Sequence, residues 1–189
     1  MKKLLFLLFG LLAVVGCSED DSITDPNGNE PEVKVETVDN GDGSFTTVVD
    51  AGYMGATEFV YFSFADGEVE VIDSMIEASW DLGFRFYTIQ VNGGIHGTAG
   101  IEIAYVDGVN FADVTEAPAE GWVTDVDDDG AFKVDGGWYS LVNPPYGYEV
   151  NGRIWFVHLP NGTYLKMELI QMADEAGTPG FPGFVWEIF

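Results

Sequence analysis

Cysteine and basic residues are both scarce in this sequence. Cys17 is the only cysteine among 189 residues, so no disulfide can form within one chain and the hydrophobic core must stabilise the fold. Lysine and arginine number 7 against 32 aspartates and glutamates, which gives a formal net charge of −25. Because this charge repels nucleic-acid phosphates and anionic membrane surfaces, we expect neither as a partner.

The short motifs that carry common catalytic chemistry are missing as well. The sequence contains no phosphate-binding G-x-x-x-x-G-K-[ST] loop, no G-x-S-x-G nucleophile motif and no H-E-x-x-H zinc motif. Acidic residues are so abundant that a pair of carboxylates alone does not indicate a glycosidase. We therefore expect a protein that is not an enzyme.

The sequence begins with an apolar run that indicates export. Lys2 and Lys3 precede the apolar residues 4–15, a run too short to span a bilayer comfortably. The run ends in "VVGC", which resembles a bacterial lipobox and predicts lipidation of Cys17 after cleavage. Lipid chains would tether the protein to a membrane without a transmembrane helix. The alternative is an ordinary secretory signal.

Residues 18–32 are polar, acidic and rich in turn formers, which predicts a flexible tether. Acidic residues this close to the cysteine resemble the signal that directs lipoproteins of the Bacteroidetes type to the outer face of the outer membrane. Loss of residues 1–17 would remove two lysines and no acid, and would change the net charge from −25 to −27. Residues 33–189 suit one domain, which we expect to be monomeric.

Glycine and proline divide the rest of the chain into short β-branched and aromatic runs. With 24 Gly, 8 Pro and 47% hydrophobic residues, the pattern predicts a single antiparallel all-β domain of many short strands. Turn signals stand between these runs: Asp42-Gly43, Asp66-Gly67, Asp107-Gly108 and Asn161-Gly162. Helical periodicity is absent, although residues 109–117 and 169–176 have room for a short helical turn.

The stretch "WDLGFRFYTIQVNGG", residues 80–94, predicts a central strand that is apolar on both faces. Leu82, Phe84 and Phe86 would share one face. Tyr87, Ile89 and Val91 would share the other face with Arg85. Asn92-Gly93-Gly94 would end the strand, since Asn and Gly adopt positive φ at low cost.

Several segments, taken in order, resemble the HmuY family of haem-binding surface lipoproteins. The segments are "VVDAGYMGATEFVYFSFADGEVEV", "SWDLGFRFYTIQVNGG", "VNFADVTEAPAEGWVTD", "GGWYSLV" and "IWFVHLPNGTYLKMELI". The resemblance implies an all-β fold, haem or a related tetrapyrrole as ligand, and haem capture at the cell surface without chemical transformation. It also implies an outer-membrane haem receptor as a partner.

In this family the axial iron ligands are histidines or methionines from loops that correspond here to residues 122–152. That range has no histidine and no methionine, but Tyr146 lies about where the family often carries a histidine, and phenolate can ligate ferric haem. Lys133 and Arg153 are the basic residues predicted to pair with the haem propionates.

His96 and His158, the only histidines, are two further candidate iron ligands. His96 lies in the glycine-rich segment "GGIHGTAG", which either presents the imidazole to a ligand or forms a solvated turn. A two-residue turn at Asn161-Gly162 would make His158 face Leu165. One face would then contain Ile154, Phe156, His158, Leu165, Met167 and Leu169. His158 is either an iron ligand beside a thioether or a hydrogen-bonded residue at the edge of the core.

The segment "DVDDDG" predicts either a calcium site or a solvated acidic turn. Asp125, Asp127 and Asp129 alternate before Gly130, as in the first half of an EF-hand loop, but the closing glutamate is missing. The alternative function is therefore a calcium-stabilised adhesion or glycan-binding module without haem binding. Its glycan-binding surface would use Trp138, Tyr139, Tyr146, Tyr148 and Trp155.

Overall fold

The computed structural model describes residues 34–142 and 147–189. The predicted signal, Cys17, the tether and Tyr146 lie outside the described residues. Within the described ranges no helix is long and apolar enough to cross a membrane. The strands are β1 (Val35–Asp39), β2 (Phe45–Val49), β3 (Val60–Ser63), β4 (Gly67–Val69), β5 (Leu82–Arg85), β6 (Thr88–Val91), β7 (Glu102–Val106), β8 (Tyr139–Val142), β9 (Gly147–Val150), β10 (Ile154–His158), β11 (Tyr164–Ala173) and β12 (Pro179–Ile188).

These strands form two sheets and a separate hairpin. The larger sheet has the order β1-β2-β12-β11-β10-β7, the smaller has the order β4-β3-β5-β6, and β8 pairs with β9. Every strand pairing is antiparallel. The prediction of an antiparallel all-β fold is confirmed.

The main core joins the two sheets through aromatic side chains. Phe184 of β12 stacks on Phe84 of β5 with ring centroids 5.6 Å apart, and Phe62 of β3 meets the same ring edge-on at 5.6 Å. A second, smaller cluster on the other face of the large sheet contains Ile154 and Phe156. Burying apolar surface on both faces of β10 and β11 explains why the sequences of these strands lack strict alternation.

Residues 82–91 form a hairpin, so the prediction of one continuous strand was wrong. Leu82 pairs with Val91, and the chain reverses at Phe86-Tyr87. Phe86 has a φ of 52°, a conformation that glycine usually adopts. Because a phenylalanine stands here in place of glycine, the sequence contains no turn signal at this position. Its N–H donates to the carbonyl of Ala51 at 2.6 Å, a tertiary contact that holds the turn.

The β10–β11 hairpin also differs from the prediction, by one residue of register. Leu159 donates to the Thr163 carbonyl, which leaves a three-residue connection in which Gly162 has a φ of +85°. A three-residue loop with glycine in this conformation is a common hairpin type. His158 consequently pairs with Tyr164, whereas Leu165 and Met167 point to the opposite face. The predicted face joining His158 to Met167 was wrong.

The described residues also form two 3-10 turns. The first, η1, spans Phe111–Asp113 and falls within the segment predicted to hold a helical turn. The second, η2, spans Ala131–Gly136 and leads into β8. The other predicted helical turn, at 169–176, was wrong because β11 continues to Ala173.

Candidate functional site

A cluster of tyrosines forms where the β5–β6 turn meets the β8–β9 hairpin. The ring of Tyr87 lies 5.2 Å from that of Tyr139 and 4.4 Å from that of Tyr148. Trp138 holds the β5–β6 turn in place, since its Nε1 donates to the Tyr87 carbonyl at 3.2 Å. Burial raises the pKa of Tyr87, so its hydroxyl stays protonated at neutral pH. This hydroxyl has no hydrogen-bond partner among the described residues.

Beside the cluster lies an open depression of about 360 Å³. Its lining consists of Tyr53, Met54, Gly55, Ala56, Arg85, Phe86, Tyr87, Thr88 and Tyr139. Tyr53 and Met54 are 74% and 77% exposed, although large apolar side chains are usually buried. The lining includes no carboxylate, whereas four other depressions of the described surface each include at least one. In so acidic a protein, the absence of carboxylates makes this depression less repulsive to an anionic ligand than the other four.

The two predicted propionate-pairing residues have different surroundings. Lys133 is exposed, and its Nζ lies 4.8 Å above the ring of Tyr139. Arg153 is buried; its Nε donates to Asp107 at 2.8 Å and its remaining nitrogens reach the carbonyls of Val134 and Asp135. The structure therefore places Lys133 next to the tyrosine cluster and uses Arg153 to connect β10 to neighbouring loops.

His96 is held by a buried carboxylate. Its Nδ1 lies 2.8 Å from Oδ2 of Asp125, which also accepts the backbone N–H of Val91 at 2.9 Å, while Oδ1 accepts that of Ala131 at 2.5 Å. Burial raises the pKa of Asp125, against the lowering effect of these hydrogen bonds. With Asp125 ionised, Nδ1 of His96 carries the proton, and Nε2 lies 3.9 Å from Oδ1 of the exposed Asp128. His96 follows the end of β6 opposite to Tyr87, so it is separated from the tyrosine cluster.

The calcium prediction is not supported by the geometry of its three carboxylates. Asp125 is 1% exposed and points inward to the donors named above. Asp127 accepts the backbone N–H of Asp129 at 3.1 Å and so closes an exposed turn. Within the described ranges, no group of three or more histidine, cysteine, aspartate or glutamate side chains is placed to hold a metal ion. The alternating acids therefore serve as a buried anchor and a surface turn.

His158 lies at the end of β10 in a different aromatic group. Its ring stacks on that of Tyr164 at 4.4 Å and 7°, and lies 5.7 Å from that of Trp122. Its Nδ1 is 3.6 Å from a carboxylate oxygen of Glu102, and the side chain is 31% exposed. Met167 points to the opposite face, so no thioether from β11 adjoins this imidazole.

The aromatic residues named for a glycan-binding surface separate into two groups. Trp138 and Trp155 are 1% and 0% exposed, so the prediction that they line a surface was wrong. Tyr139 and Tyr148 lie at the surface in the tyrosine cluster. Tyr146 lies outside the described residues, between β8 and β9 in the sequence.

The contribution of the β2–β3 connection and of the turn at Phe86 was not predicted from the sequence. Tyr53 and Met54 stand in "DAGYMGA", where two large side chains in a glycine-rich loop are a detectable sign of a binding surface. Arg85 and Phe86 gave no such signal, because both were assigned to the interior of a strand.

Three solved structures resemble this fold. A protein described as a lipoprotein, from Bacteroides fragilis, is 18% identical with a TM-score of 0.56, and the match covers 79% of this chain and 91% of that one. A protein described as HmuY-like and haem-binding, from Bacteroides vulgatus, is 19% identical with a TM-score of 0.57. The match covers 82% of this chain and 97% of that one. A HmuY analog from Tannerella forsythia is 13% identical with a TM-score of 0.58, and the match covers 84% of this chain and 98% of that one. At these identities the likeness establishes the fold.

Sequence comparison establishes the family. No curated protein matches the chain. The family model described as HmuY protein matches residues 56–186, which is more than half of the sequence. The match begins in the β2–β3 connection and ends in β12. It includes the smaller sheet, strands β7 to β11 and the tyrosine cluster, whereas β1, β2 and the depression residues Tyr53 and Met54 precede it. The chain belongs to the HmuY family.

Proposed function

We propose that this protein binds haem, without transforming it, and acts in haem and iron acquisition at the bacterial cell surface. The observation that carries the proposal is the family match over residues 56–186. The HmuY-like protein of Bacteroides vulgatus is itself described as haem-binding, which supports the same ligand for this chain. The acid-free aromatic depression beside the tyrosine cluster is where we place the haem.

The chemistry of the depression suits haem in three respects. Tyr53, Phe86 and Tyr139 offer aromatic surface against which a flat apolar ring can stack. The lack of carboxylates avoids repulsion of the propionates. Met54 offers an exposed thioether, a ligand type found in haem proteins, and Tyr146 follows β8 closely in the sequence.

Among the candidate iron ligands, we propose Tyr146. Tyr146 lies in the sequence between Tyr139 and Tyr148, and these two residues belong to the tyrosine cluster. His96 and His158 remain alternatives, but their rings already contact Asp125 and Tyr164, respectively, and neither lines the depression.

Absorbance spectra of the haemin complex test this assignment. Phenolate ligation gives a high-spin ferric spectrum that weakens on reduction, whereas histidine ligation gives a low-spin spectrum. We expect Tyr146→Phe to abolish the high-spin spectrum, and His96→Ala and His158→Ala to leave it unchanged. A low-spin spectrum lost in either histidine variant would place the iron at that histidine instead. Met54→Leu tests the thioether in the same titration.

We also propose that Cys17 is lipidated and that residues 18–32 tether a monomeric domain to the outer face of the outer membrane, where it would pass haem to a receptor. The support is the lipobox and the acidic residues that follow it. Cys17→Ser should shift the protein from the membrane fraction to the soluble fraction. Membrane retention of that variant would contradict the lipid anchor.

A further inference from the structure

A row of cross-strand neighbours at the end of β10 places an acid beside aromatic rings. His158 pairs with Glu102 of β7 on one side and with Tyr164 of β11 on the other. Directly paired residues of neighbouring strands share one face of a sheet, so the three side chains form a row. The imidazole stacks on the phenol ring with centroids 4.4 Å apart, and its Nδ1 lies 3.6 Å from a carboxylate oxygen of Glu102.

Trp122 adds an indole ring to this row. The centroid of the indole lies 5.7 Å from that of His158 and 5.5 Å from that of Tyr164. Its Nε1 donates to the Pro118 carbonyl at 3.1 Å, which fixes the orientation of the ring. We call the following four residues the Trp122 site: Glu102, Trp122, His158 and Tyr164.

Trp122 is the one tryptophan that the fold leaves accessible. All five tryptophans lie within the described residues, and the other four are at most 4% exposed: Trp80, Trp138, Trp155 and Trp186. Trp122, His158 and Tyr164 are half-buried, and the side chain of Glu102 is 47% exposed. The three rings of the Trp122 site are therefore packed on the domain on one side and open to a ligand on the other.

The Trp122 site has a carboxylate but no cation of its own. No lysine or arginine in the described ranges forms an ion pair with Glu102. Four of the five basic residues in these ranges lie over an aromatic ring elsewhere, and none lies over the ring of Trp122 or Tyr164. Lys166, on the same face of β11, is buried and pairs with Glu187 at 3.1 Å. A negative charge thus adjoins accessible aromatic rings without a cation from the described chain.

We propose that the Trp122 site binds an organic ammonium ion, such as a quaternary or methylated amine. Aromatic rings attract such cations through their quadrupole, and a carboxylate beside them adds charge pairing. The net charge of −25 raises the local concentration of cations and lowers that of anions. Trp122 and Tyr164 contact the N-methyl groups, and Glu102 supplies the opposite charge. The proposal is independent of haem binding, since none of the four residues lines the depression beside the tyrosine cluster.

Titration of choline with the full chain, followed by proton NMR of its N-methyl groups, tests the proposal. Aromatic ring currents move these resonances upfield when the methyl groups lie over ring faces. We expect a saturable upfield shift with a dissociation constant of about 1–10 mM, because the contacts are partly exposed to solvent. The neutral isostere, in which a tert-butyl group replaces trimethylammonium, should bind more weakly by about fivefold or more.

Variants of the Trp122 site separate ring contact from charge pairing. Trp122→Leu and Glu102→Gln should each weaken choline binding by about twofold to fivefold, and Glu102→Gln should leave binding of the neutral isostere unchanged. Glu36→Gln is the matched control, because it removes the same charge from β1 at the opposite edge of the large sheet. We expect this control to bind choline as the wild type does.

Three results would overturn the proposal: no saturable shift with choline, equal affinity for choline and its neutral isostere, or unchanged choline affinity in both Trp122→Leu and Glu102→Gln. Phosphatidylcholine vesicles distinguish the source of the ammonium group. Choline binding without vesicle binding supports a soluble amine, whereas vesicle binding that is lost in Trp122→Leu supports the same site with a lipid headgroup as its ligand. Haemin titration of Trp122→Leu should match that of the wild type, so failure of the ammonium site would leave the proposed haem binding intact.

Discussion

At the scale of single residues, Asp125 connects three segments that are distant in the sequence. Its carboxylate accepts the N–H of Val91 at the end of β6, the N–H of Ala131 at the start of η2, and Nδ1 of His96 in the glycine-rich loop. A buried carboxylate is tolerated when its oxygens are hydrogen-bonded in this way. Asp125 therefore fixes the position of His96 and the approach of η2 to β6.

Replacing Asp125 by asparagine should destabilise the fold. The amide keeps one acceptor oxygen and turns an NH₂ group toward a backbone donor, so at least one buried N–H loses its partner. We expect Asp125→Asn to lower the free energy of unfolding by about 2–4 kcal/mol in urea denaturation. Asp128→Asn, at a fully exposed neighbouring carboxylate, is the control and should change it by less than about 0.5 kcal/mol. Equal stabilities of the two variants would contradict the anchoring role of Asp125.

The acidic motif also shows what residue patterns can predict. The alternation of Asp125, Asp127 and Asp129 indicated that the chain turns here, and it does. The alternation could not show that Asp125 points inward, because its donors come from β6, η2 and the His96 loop. Contacts between distant segments decide which carboxylates are free to bind a cation.

At the scale of elements, strand composition was more informative than strand limits. The apolar runs predicted the antiparallel all-β class, because short runs of β-branched and aromatic residues between turn formers are typical of β-strands. The hairpin at Phe86 was missed because its positive φ is maintained by a contact with Ala51 and not by glycine. The register of β10 and β11 was missed because one extra loop residue exchanges the two faces. The first error hid the turn that brings Arg85 to the depression, and the second wrongly placed His158 and Met167 on the same face.

The loop that ends β6 offers a prediction at this scale. Gly94 and Gly100 flank His96, and both have positive φ, at +61° and +80°. A Cβ at Gly94 would lie 1.9 Å from the carbonyl oxygen of Asp125, whereas a Cβ at Gly100 would meet open space. Gly100→Ala should therefore lower the free energy of unfolding by about 1–2 kcal/mol, through the backbone conformation alone. Gly94→Ala should lower it by clearly more, because the new Cβ also meets the Asp125 carbonyl.

Thermal or urea unfolding of the two variants compares these costs directly. Gly100→Ala serves as the matched control, because it shares the conformational cost without the backbone contact. Similar losses of stability in the two variants would show that the loop can move away from Asp125, contrary to the packing described here.

At the scale of the whole molecule, the free energy of unfolding should depend on pH through the many carboxyl groups. Burial raises the pKa values of Asp81, Asp125 and Glu168 above their ordinary values of 3.8, 3.8 and 4.5. A carboxyl group with a raised folded-state pKa binds its proton more readily in the folded chain than in the unfolded chain. Its contribution to stability is thus fully present below the ordinary pKa and is lost as the pH rises through the folded-state pKa. Asp42, exposed and with its pKa lowered by hydrogen bonds from Ser44, acts in the opposite sense.

We therefore expect the free energy of unfolding to increase as the pH falls from neutral toward the ordinary carboxyl pKa values of 3.8 and 4.5. Relief of repulsion within a chain of net charge −25 acts in the same direction. Urea denaturation across this range measures the slope, and Asp125→Asn should reduce it because one raised pKa is removed. A free energy of unfolding that decreases steadily as the pH falls to about 5 would contradict the conclusion that burial raises the pKa values of these carboxyl groups.

At this scale, we propose that the chain binds haem as a member of its family. The measurement that tests it most directly is a titration of haemin into the purified protein, followed by the Soret absorbance in the ferric and in the reduced state. We expect a saturable change that ends near one haem per chain, consistent with one acid-free aromatic depression beside the tyrosine cluster. The absence of any saturable spectral change at micromolar haemin in both redox states would contradict haem binding by this protein.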